Sequence, residues 1–265
     1  MHKRLNARLL IACSIAIILS GGYRLHESFP YQNPTKQNIP SGLLNLVKAY
    51  PDFIDSADCC YLYWKDGTKM KYDDGIEDKD YESMLENPSL KDQMSMPYTP
   101  GSDYEIPKEN FDPGRIRNED FFRKMYGSTE SEVRANLVSI SWLPNTLNKK
   151  ILITSVNGVD KALEKVSNEL DGLSPDLLKY VKRLGGTFNW RPILNTNRLS
   201  PHSYGIAIDI NTSYSDYWEW EKGSGYTNRI PMEIVQIFEK YGFIWGGKWY
   251  HYDTMHFEYR PELMK

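Results

Sequence analysis

The sequence RPILNTNRLSPHSYGIAIDI, residues 191–210, carries the most informative pattern of the chain. Its last five residues alternate between isoleucine and small or acidic residues, which predicts a β-strand with one apolar face. That face consists of Ile206, Ile208 and Ile210. Asp209 projects from the opposite face, level with Ala207 and Gly205, so small neighbours leave room there for a metal ion and a peptide.

Histidine and carboxylate side chains in two segments suggest a metal site. Ser200 and Pro201 break any helix before the strand, so His202 is expected in the loop that enters it. The second segment, DTMHFEYR at residues 253–260, supplies His256 and reads as a short strand from that histidine onward. Two neutral imidazoles and the carboxylate of Asp209 are the ligands of a catalytic zinc that keeps one position open. The two segments must therefore be neighbours.

These motifs resemble a known family. Residues 200–209, SPHSYGIAID, resemble the S-x-H-x-x-G-x-A-x-D signature of zinc D-alanyl-D-alanine carboxypeptidases and dipeptidases and of L-alanyl-D-glutamate endopeptidases. DTMH resembles their second motif, an acidic residue three positions before the last ligand. The resemblance covers about residues 186–262, with a weaker likeness from about residue 112. It implies His202, Asp209 and His256 as zinc ligands, Asp253 as catalytic acid/base, and Arg191 as a substrate contact.

The resemblance implies an exported zinc metallopeptidase, with one zinc per chain, that cleaves peptidoglycan stem peptides. D-alanyl-D-alanine carboxypeptidase is the leading activity. An L-alanyl-D-glutamate endopeptidase is the closest alternative, because Asp253 is an aspartate as in endopeptidase-like members. A non-catalytic, zinc-stabilised binding domain is the third alternative. Asp253 argues against it, since a purely structural zinc has no use for an adjacent proton carrier.

Several other polar residues are candidates for substrate contacts. Ser200 and Arg198 are expected to bind substrate, and Arg198 competes with Arg191 for the role beside the reacting carbonyl. Arg191 is favoured because TFNWR, residues 187–191, reads as a strand that fixes its side chain. A carboxypeptidase must also neutralise a terminal carboxylate, for which Arg198 and Lys248 are candidates.

Two residues near the second motif have open roles. His251 is interpreted first as a packed or surface histidine. Its alternative role is a hydrogen-bond donor, either to the transition state or to the site from outside the metal ligands. Glu258 is either a carboxylate that holds a histidine or a simple structural partner, and the sequence does not decide between these two roles.

The first 22 residues have the pattern of a signal peptide or signal anchor. A basic start precedes an apolar run at residues 9–19, and small residues follow at 20–22. We therefore expect an extracytoplasmic protein, secreted, periplasmic or associated with the cell wall, that meets a membrane only through an uncleaved leader at residues 9–22. The basic residues of the leader are Lys3, Arg4 and Arg8.

Charge and cysteine content limit the other functions. The formal net charge of −3 becomes −6 once the three basic leader residues are removed, so no nucleic-acid partner is expected. Of three cysteines, Cys13 lies in the leader. Cys59 and Cys60 are adjacent, and opposite strand faces make a bridge between them improbable. They are either buried thiols, which is favoured, or thiols that pair with another molecule, and they are not expected to form a zinc site.

We divide the mature chain into an N-terminal extension, residues 23–115, and a catalytic domain, residues 116–265. In the extension, residues 41–50 predict a helix capped by Ser41, and residues 60–72 predict a hairpin that turns at Asp66-Gly67. The extension cannot bury a core alone, so we expect it to pack on the catalytic domain. A buttress is favoured over an active-site cap or a wall-binding appendage.

The catalytic domain reads as α+β, with a mainly antiparallel central sheet flanked by helices and the zinc site at the sheet surface. Residues 118–127 predict a helix ended by Gly127, and 159–173 predict a longer amphipathic helix. Residues 174–186 predict another, with Ser174 as N-cap and Pro175 in its first turn. Strands are expected at 136–142 and 150–155, and a last helix at 230–243. Residues 213–229 form an aromatic loop that could line the substrate groove.

Overall fold

The computed structural model describes residues 38–220 and 225–264. The predicted leader, residues 1–22, lies outside the described residues. Within the described part of the chain, no helix is long and apolar enough to cross a membrane. Chain contacts group residues Gln37–Lys265 into one unit.

The N-terminal part contains a helix and a small antiparallel sheet. Helix α1 spans Ser41–Ala49, and strands β1 (Ile54–Ala57), β2 (Tyr61–Trp64) and β3 (Lys69–Lys71) pair in that order. The predicted hairpin at Asp66-Gly67 is confirmed: the Asp66 carboxylate accepts a hydrogen bond from the Thr68 amide at 2.9 Å. The prediction that Ser41 caps α1 is wrong. Pro40 occupies the N-cap position, and no side chain caps the helix.

The two cysteines of this region are not placed as predicted. Cys59 and Cys60 lie in the bend between β1 and β2, so the alternation of strand faces does not apply. Both thiols are free, their sulfurs are 2.7 Å apart, and Cys60 is exposed. The carboxylate of Asp58 holds the bend by accepting hydrogen bonds from the amides of Cys60 and Tyr61, each at 2.8 Å. The prediction of buried thiols is therefore wrong.

Short helices follow in the next segment. They are α2 (Tyr81–Glu86), α3 (Leu90–Gln93), α4 (Glu119–Tyr126) and α5 (Glu130–Ala135). The predicted end of α4 at Gly127 is confirmed, since Gly127 is the C-cap with a φ of 126°. A Cβ there would lie 2.9 Å from the backbone nitrogen of Val133, so only glycine fits this turn.

A two-stranded sheet and a long helix form the centre of the core. Strand β4 (Leu137–Trp142) pairs antiparallel with β5 (Lys149–Thr154), and helix α6 (Val159–Asp171) packs on both. Its predicted apolar face is buried, comprising Val159, Leu163, Val166 and Leu170. The next predicted helix is shorter than expected: α7 covers only Pro175–Leu178, although Ser174 is its N-cap as predicted.

The third sheet carries the two motif segments of the sequence analysis. Strands β6 (Ala207–Asp209), β7 (Phe243–Trp245) and β8 (His256–Tyr259) are antiparallel in the order β6-β8-β7. Helix α8 (Met232–Lys240) precedes β7. Among the described residues the strands thus form three small sheets, and helices are interspersed with them. The mixed α and β composition agrees with the prediction, but a single central sheet does not form.

The predicted strand at residues 187–191 is also absent from the described structure. Gly186 makes one bridge to Asp209, and the chain then leaves the sheet edge. Its backbone groups bond to the turn around His202 instead: the Asn189 amide donates to the His202 carbonyl at 3.2 Å. Because the turn takes these hydrogen bonds, the segment does not join a sheet.

Candidate metal centre

His202 is held by a tight turn at the entrance to β6. A 3-10 helix spans Pro201–Tyr204, and the hydroxyl of Ser200 accepts a hydrogen bond from the His202 amide at 3.4 Å. Gly205 ends this turn in the left-handed region, with a φ of 67°. A Cβ at this position would lie 2.8 Å from Leu137 Cδ2, so glycine is required by both conformation and space.

Strand pairing brings the remaining ligands to the same place. Asp209 on β6 lies directly opposite His256 on β8. Asp209 Oδ1 is 3.2 Å from His202 Nε2 and 3.0 Å from His256 Nδ1. The two motif segments are therefore neighbours, as their shared chemistry requires.

The hydrogen bonds of the two imidazoles fix which nitrogen of each faces the carboxylate. His202 Nδ1 donates to the carbonyl of Thr187 at 2.6 Å, so its Nε2 is the nitrogen that faces Asp209. His256 Nε2 donates to the carboxylate of Glu258 at 3.2 Å, so its Nδ1 faces Asp209. The three ligand atoms lie within 4.8 Å of one another. This donor set fits a divalent metal ion, because each histidine has an outer partner that fixes its tautomer.

The charges around this group are strongly coupled. Burial disfavours the charged imidazole of His256, but its hydrogen bonds to Asp209 and Glu258 outweigh this effect and raise its pKa to about 9. Burial also opposes ionisation of Asp209, yet the neighbouring His202 and His256 hold the pKa of this carboxyl well below its usual range. A carboxylate that faces two imidazoles can bind a cation, which then replaces the protons of the imidazoles.

Asp253 stands beside the three ligands. Its amide donates to the carbonyl of Gly246 at 3.0 Å, and its carbonyl accepts from the His256 amide at 3.2 Å. Its Oδ1 is buried and has no hydrogen-bond partner among the described residues. Desolvation and the charge of Asp209 raise its pKa to about 6. The residue is thus a carboxyl that can exchange a proton near neutral pH.

Glu258 connects the centre to two arginines, of which Arg260 is fully buried. Its side chain is fully buried, and it accepts hydrogen bonds from Arg117 Nε at 2.9 Å and Arg260 Nη1 at 3.0 Å. Burial opposes its charge, but Arg117 and the hydrogen bonds of its partners keep the pKa of Glu258 well below the usual range. Glu258 therefore makes the contacts of both predicted roles. It holds the imidazole of His256, and it is also a structural partner of two arginines.

An open cleft of about 480 Å³ lies over these residues. Its lining includes all three members of the metal-binding group and Asp253. Four arginines contribute to its walls, namely Arg115, Arg117, Arg191 and Arg198. Aromatic side chains are also present, namely Tyr217, Trp220 and Trp249, and Trp220 from the predicted aromatic loop is exposed. The cleft is large enough for a short peptide and carries positive charge on its walls.

The predicted substrate contacts have different surroundings. Arg191 is exposed, and its guanidinium donates to the carbonyl of Pro192 at 3.3 Å. Arg198 lines the cleft but pairs with Glu86, with Nε and Oε1 2.9 Å apart. Ser200 is buried and binds the turn backbone. The expectation that a strand fixes Arg191 is wrong, since no strand forms there.

Lys248 is not available to bind a substrate carboxylate. It is buried and pairs with Glu239, the two charged atoms lying 2.5 Å apart. Its ammonium also donates to the carbonyls of Thr99 and Gly101 at 2.9 and 2.8 Å. These three bonds satisfy all its donors, so its role is to connect the loop at residues 99–101 with α8.

His251 lies beside the site without lining the cleft described above. Its Nδ1 donates to Asp112 Oδ2 at 2.6 Å, and its ring stacks on Tyr81 with centroids 5.4 Å apart. Sequence reasoning missed its partner Asp112, as well as Arg115 and Arg117. The segment DPGRIR reads as a loop, and no local pattern relates it to residues about 140 positions later.

A second group of possible metal ligands occurs at the β1–β2 bend, where Asp58, Cys59 and Cys60 bring donor atoms within 4.8 Å. Both carboxylate oxygens of Asp58 already accept hydrogen bonds, from two amides and from the Tyr63 hydroxyl. The group at His202 differs because its carboxylate is shared by two imidazoles inside a cleft.

Comparison with known proteins bears on the same part of the chain. No curated protein and no solved structure matches this sequence. Residues 194–259 match a family model described as D-alanyl-D-alanine carboxypeptidase. The matched segment contains His202, Asp209, Asp253 and His256 and ends before the C-terminal turn. The match thus supports this peptidase family in general for the segment that builds the cleft.

Proposed function

We propose that the protein is an exported zinc metallopeptidase that hydrolyses peptidoglycan stem peptides, acting as a D-alanyl-D-alanine carboxypeptidase. The observation that carries this proposal is the meeting of His202, Asp209 and His256 beside the carboxyl of Asp253, in the segment that matches the carboxypeptidase model. The stem peptide is the proposed partner, without a nucleic acid, and a membrane is contacted only through an uncleaved leader.

Zinc would be held by His202 Nε2, Asp209 Oδ1 and His256 Nδ1. When bound, it supplies Lewis acidity that polarises a carbonyl and lowers the pKa of water toward about 7. The protein contributes the orientation of its ligands. The Thr187 carbonyl and the Glu258 carboxylate hold each imidazole by its other nitrogen.

Asp253 is assigned to proton transfer. Its carboxylate takes the proton from the attacking water, and its carboxyl later gives a proton to the leaving amine. Burial and the charge of Asp209 raise the pKa of this carboxyl to about 6 in the metal-free protein, which favours proton exchange nearer to neutral pH than for an ordinary aspartate. The unpartnered Oδ1 leaves one oxygen free to face the reacting groups.

Arg191 and the cleft walls are assigned to substrate binding. The Arg191 guanidinium stands at the exposed side of the cleft, where it can contact the carbonyl oxygen as negative charge develops. Arg198 contributes positive charge at the wall while it stays paired with Glu86. Ser200 acts indirectly, because its hydroxyl binds the His202 amide.

The alternative activity is that of an L-alanyl-D-glutamate endopeptidase. The openness of the cleft and the aspartate at position 253 are compatible with it, since an endopeptidase needs a groove that accepts chain on both sides of the bond. The binding-domain alternative is less favoured, because it gives no role to the unpartnered carboxyl of Asp253.

Product analysis tests the proposal. We expect the zinc-loaded protein to remove a single alanine from a muropeptide pentapeptide, detected by mass. Release of a larger stem fragment would establish the endopeptidase instead. No product despite one bound zinc per chain would favour the binding domain.

The variant Asp253→Asn tests the assignment of the proton carrier. We expect zinc to remain bound at one per chain while the rate falls by about a hundred- to ten-thousand-fold, because proton transfer is lost and the ligands are intact. Metal content is measured together with turnover. A variant that hydrolyses at the parental rate would show that another group moves the proton.

A further inference from the structure

Arg115 enters the cleft from a loop that the metal-binding motifs do not include. Its amide donates to the Asp112 carbonyl at 3.0 Å, after a turn at Gly114 with a φ of 101°. Its Nη1 donates to the His251 carbonyl at 3.1 Å, and the guanidinium lies 5.6 Å from the Trp249 ring centroid. The half-buried side chain is therefore held in one orientation.

Two of the other arginines that line the cleft have carboxylate partners. Arg117 pairs with Glu258, and Arg198 pairs with Glu86. Arg115 makes no ion pair within the described residues, and only one of its N–H groups has an acceptor there. Arg191 also makes no ion pair in the described part of the chain, but it is exposed and bonds only to the adjacent carbonyl of Pro192. Arg115 is thus the oriented guanidinium with unused donors.

Neighbouring carboxylates do not occupy Arg115. The buried carboxylate of Asp112 directs Oδ1 to the His251 amide at 2.9 Å and Oδ2 to His251 Nδ1, and it also accepts from the Tyr81 hydroxyl. Arg115 lines the same cleft as Asp253 and the three candidate metal ligands. Its positive charge is therefore part of the cleft wall that encloses these residues.

We propose that Arg115 binds the C-terminal carboxylate of the peptide substrate, and that the Asp112–His251 pair positions it for this role. The proposal rests on the proposed function. A guanidinium offers parallel N–H donors that match a carboxylate, and such charge-assisted bonds are stronger than neutral ones. The carboxylate would lie beside the scissile bond, which distinguishes a carboxypeptidase from an endopeptidase.

The test compares two substrates that differ only at this group: a pentapeptide with a free C-terminal carboxylate and the same peptide with a C-terminal amide. We expect the parental enzyme to prefer the acid. Arg115→Ala is expected to raise KM for the acid by about 10- to 150-fold, the range for losing a hydrogen bond to a charged group, while the amide changes much less. Equal losses on both substrates, or a loss in kcat alone, would overturn the proposal.

Matched variants separate this role from a general effect on folding. Arg115→Lys keeps the charge without the planar fork, so it should restore part of the preference for the acid. Arg134→Ala removes an exposed arginine outside the cleft and should leave the preference unchanged. Asp112→Asn should reduce the acid-to-amide ratio with little effect on the amide. If the acid-to-amide ratio is unchanged in Asp112→Asn, the Asp112–His251 pair does not position Arg115.

Binding without turnover separates failure of this proposal from failure of the proposed function. Calorimetry with zinc-loaded Asp253→Asn, using acetyl-D-alanyl-D-alanine and its amide, should show tighter binding of the acid, and Arg115→Ala in that background should abolish the difference. If the parental enzyme cleaves the pentapeptide but Arg115→Ala still prefers the acid to the amide, the carboxylate-binding role of Arg115 is wrong and the proposed activity stands. If no peptide is cleaved but the preference for the acid depends on Arg115, the proposed activity is wrong and the carboxylate-binding role stands.

Discussion

Asp209 and Asp253 show how the surroundings of two carboxyls separate their chemistry. The carboxylate of Asp209 contacts the imidazoles of His202 and His256, and their positive charge stabilises its ionised form. Asp253 has an unpartnered buried oxygen and the negative charge of Asp209 nearby, which favour its protonated form. One carboxyl therefore suits a metal ligand, and the other suits a proton carrier.

The pKa of Asp253 and its response to zinc can be predicted from these surroundings. In the metal-free protein its pKa is expected at about 6, so the carboxyl ionises as the pH rises through that value. Adding zinc should lower the pKa, because a nearby cation favours the charged form. Carboxyl-carbon NMR measures both values, and Asp253→Asn identifies the signal. A titration at the ordinary aspartate value in the metal-free protein would contradict the role of desolvation.

Sequence reasoning indicated which residues come together at the candidate metal site but not which of their atoms face one another. The motif spacing indicated His202, Asp209 and His256. Which nitrogen of each histidine faces the carboxylate depends on Thr187 and Glu258, and no pattern in the sequence relates these residues to the imidazoles.

At the scale of elements, the turn before β6 sets the geometry of the centre. Gly205 separates the 3-10 turn that carries His202 from the strand that carries Asp209. The β6–β8 register then places His256 opposite Asp209, and a shift by one residue would move one of them to the other sheet face. The turn and the register together bring the ligands into contact.

The variant Gly205→Ala tests this turn. A left-handed φ and a contact at 2.8 Å to Leu137 both oppose a methyl group. We expect a loss of about 2 to 4 kcal/mol in the free energy of unfolding, from backbone strain plus overpacking, together with weaker zinc binding. Denaturant unfolding and zinc titration measure the two effects.

Gly158→Ala is the matched control for that experiment. Gly158 has a similar φ of 69°, but a Cβ there would meet nothing within 4 Å. It should lose only the strain energy of about 1 to 2 kcal/mol and keep its affinity for zinc. Equal effects of the two variants would show that packing against Leu137 does not matter.

At the scale of the whole molecule, a buried chain of charges joins the metal centre to the first helix. Glu258 contacts His256 and Arg260, and Arg260 pairs with Glu262 at 2.5 Å. Glu262 in turn accepts a hydrogen bond from Tyr50, at the end of α1, at 2.6 Å. Contacts between distant parts of the sequence thus support the candidate site.

Replacing Arg260 by methionine should destabilise the fold strongly. The change leaves Glu258 and Glu262 buried with less compensating charge, so we expect a loss of about 3 to 5 kcal/mol in the free energy of unfolding. Denaturant unfolding measures it. The exposed pair Arg134–Glu130 provides the comparison, since Arg134→Ala should cost less than about 1 kcal/mol. Similar values for both variants would contradict a structural role for the buried chain.

The contacts of the N-terminal region bear on its role. Besides Tyr50, the Tyr98 hydroxyl binds Glu239, and the Tyr81 ring stacks on His251. The role of a buttress was favoured because this region cannot bury a core alone, and these contacts are compatible with it. The boundary near residue 115 stays a prediction.

The sequence by itself determined the chemistry of the ligand set, the apolar faces of β6 and α6, and the hairpin at Asp66-Gly67. These features depend on residue type and local spacing, which the sequence contains directly. Only the tertiary structure decided that the strands form three small sheets, that residues 187–191 bond to the turn at His202, and that Lys248 is buried. It also decided that Arg115 faces the cleft. Each of these depends on hydrogen bonds or ion pairs with residues far away in the chain, and local patterns carry no information about which distant partner will satisfy a given group.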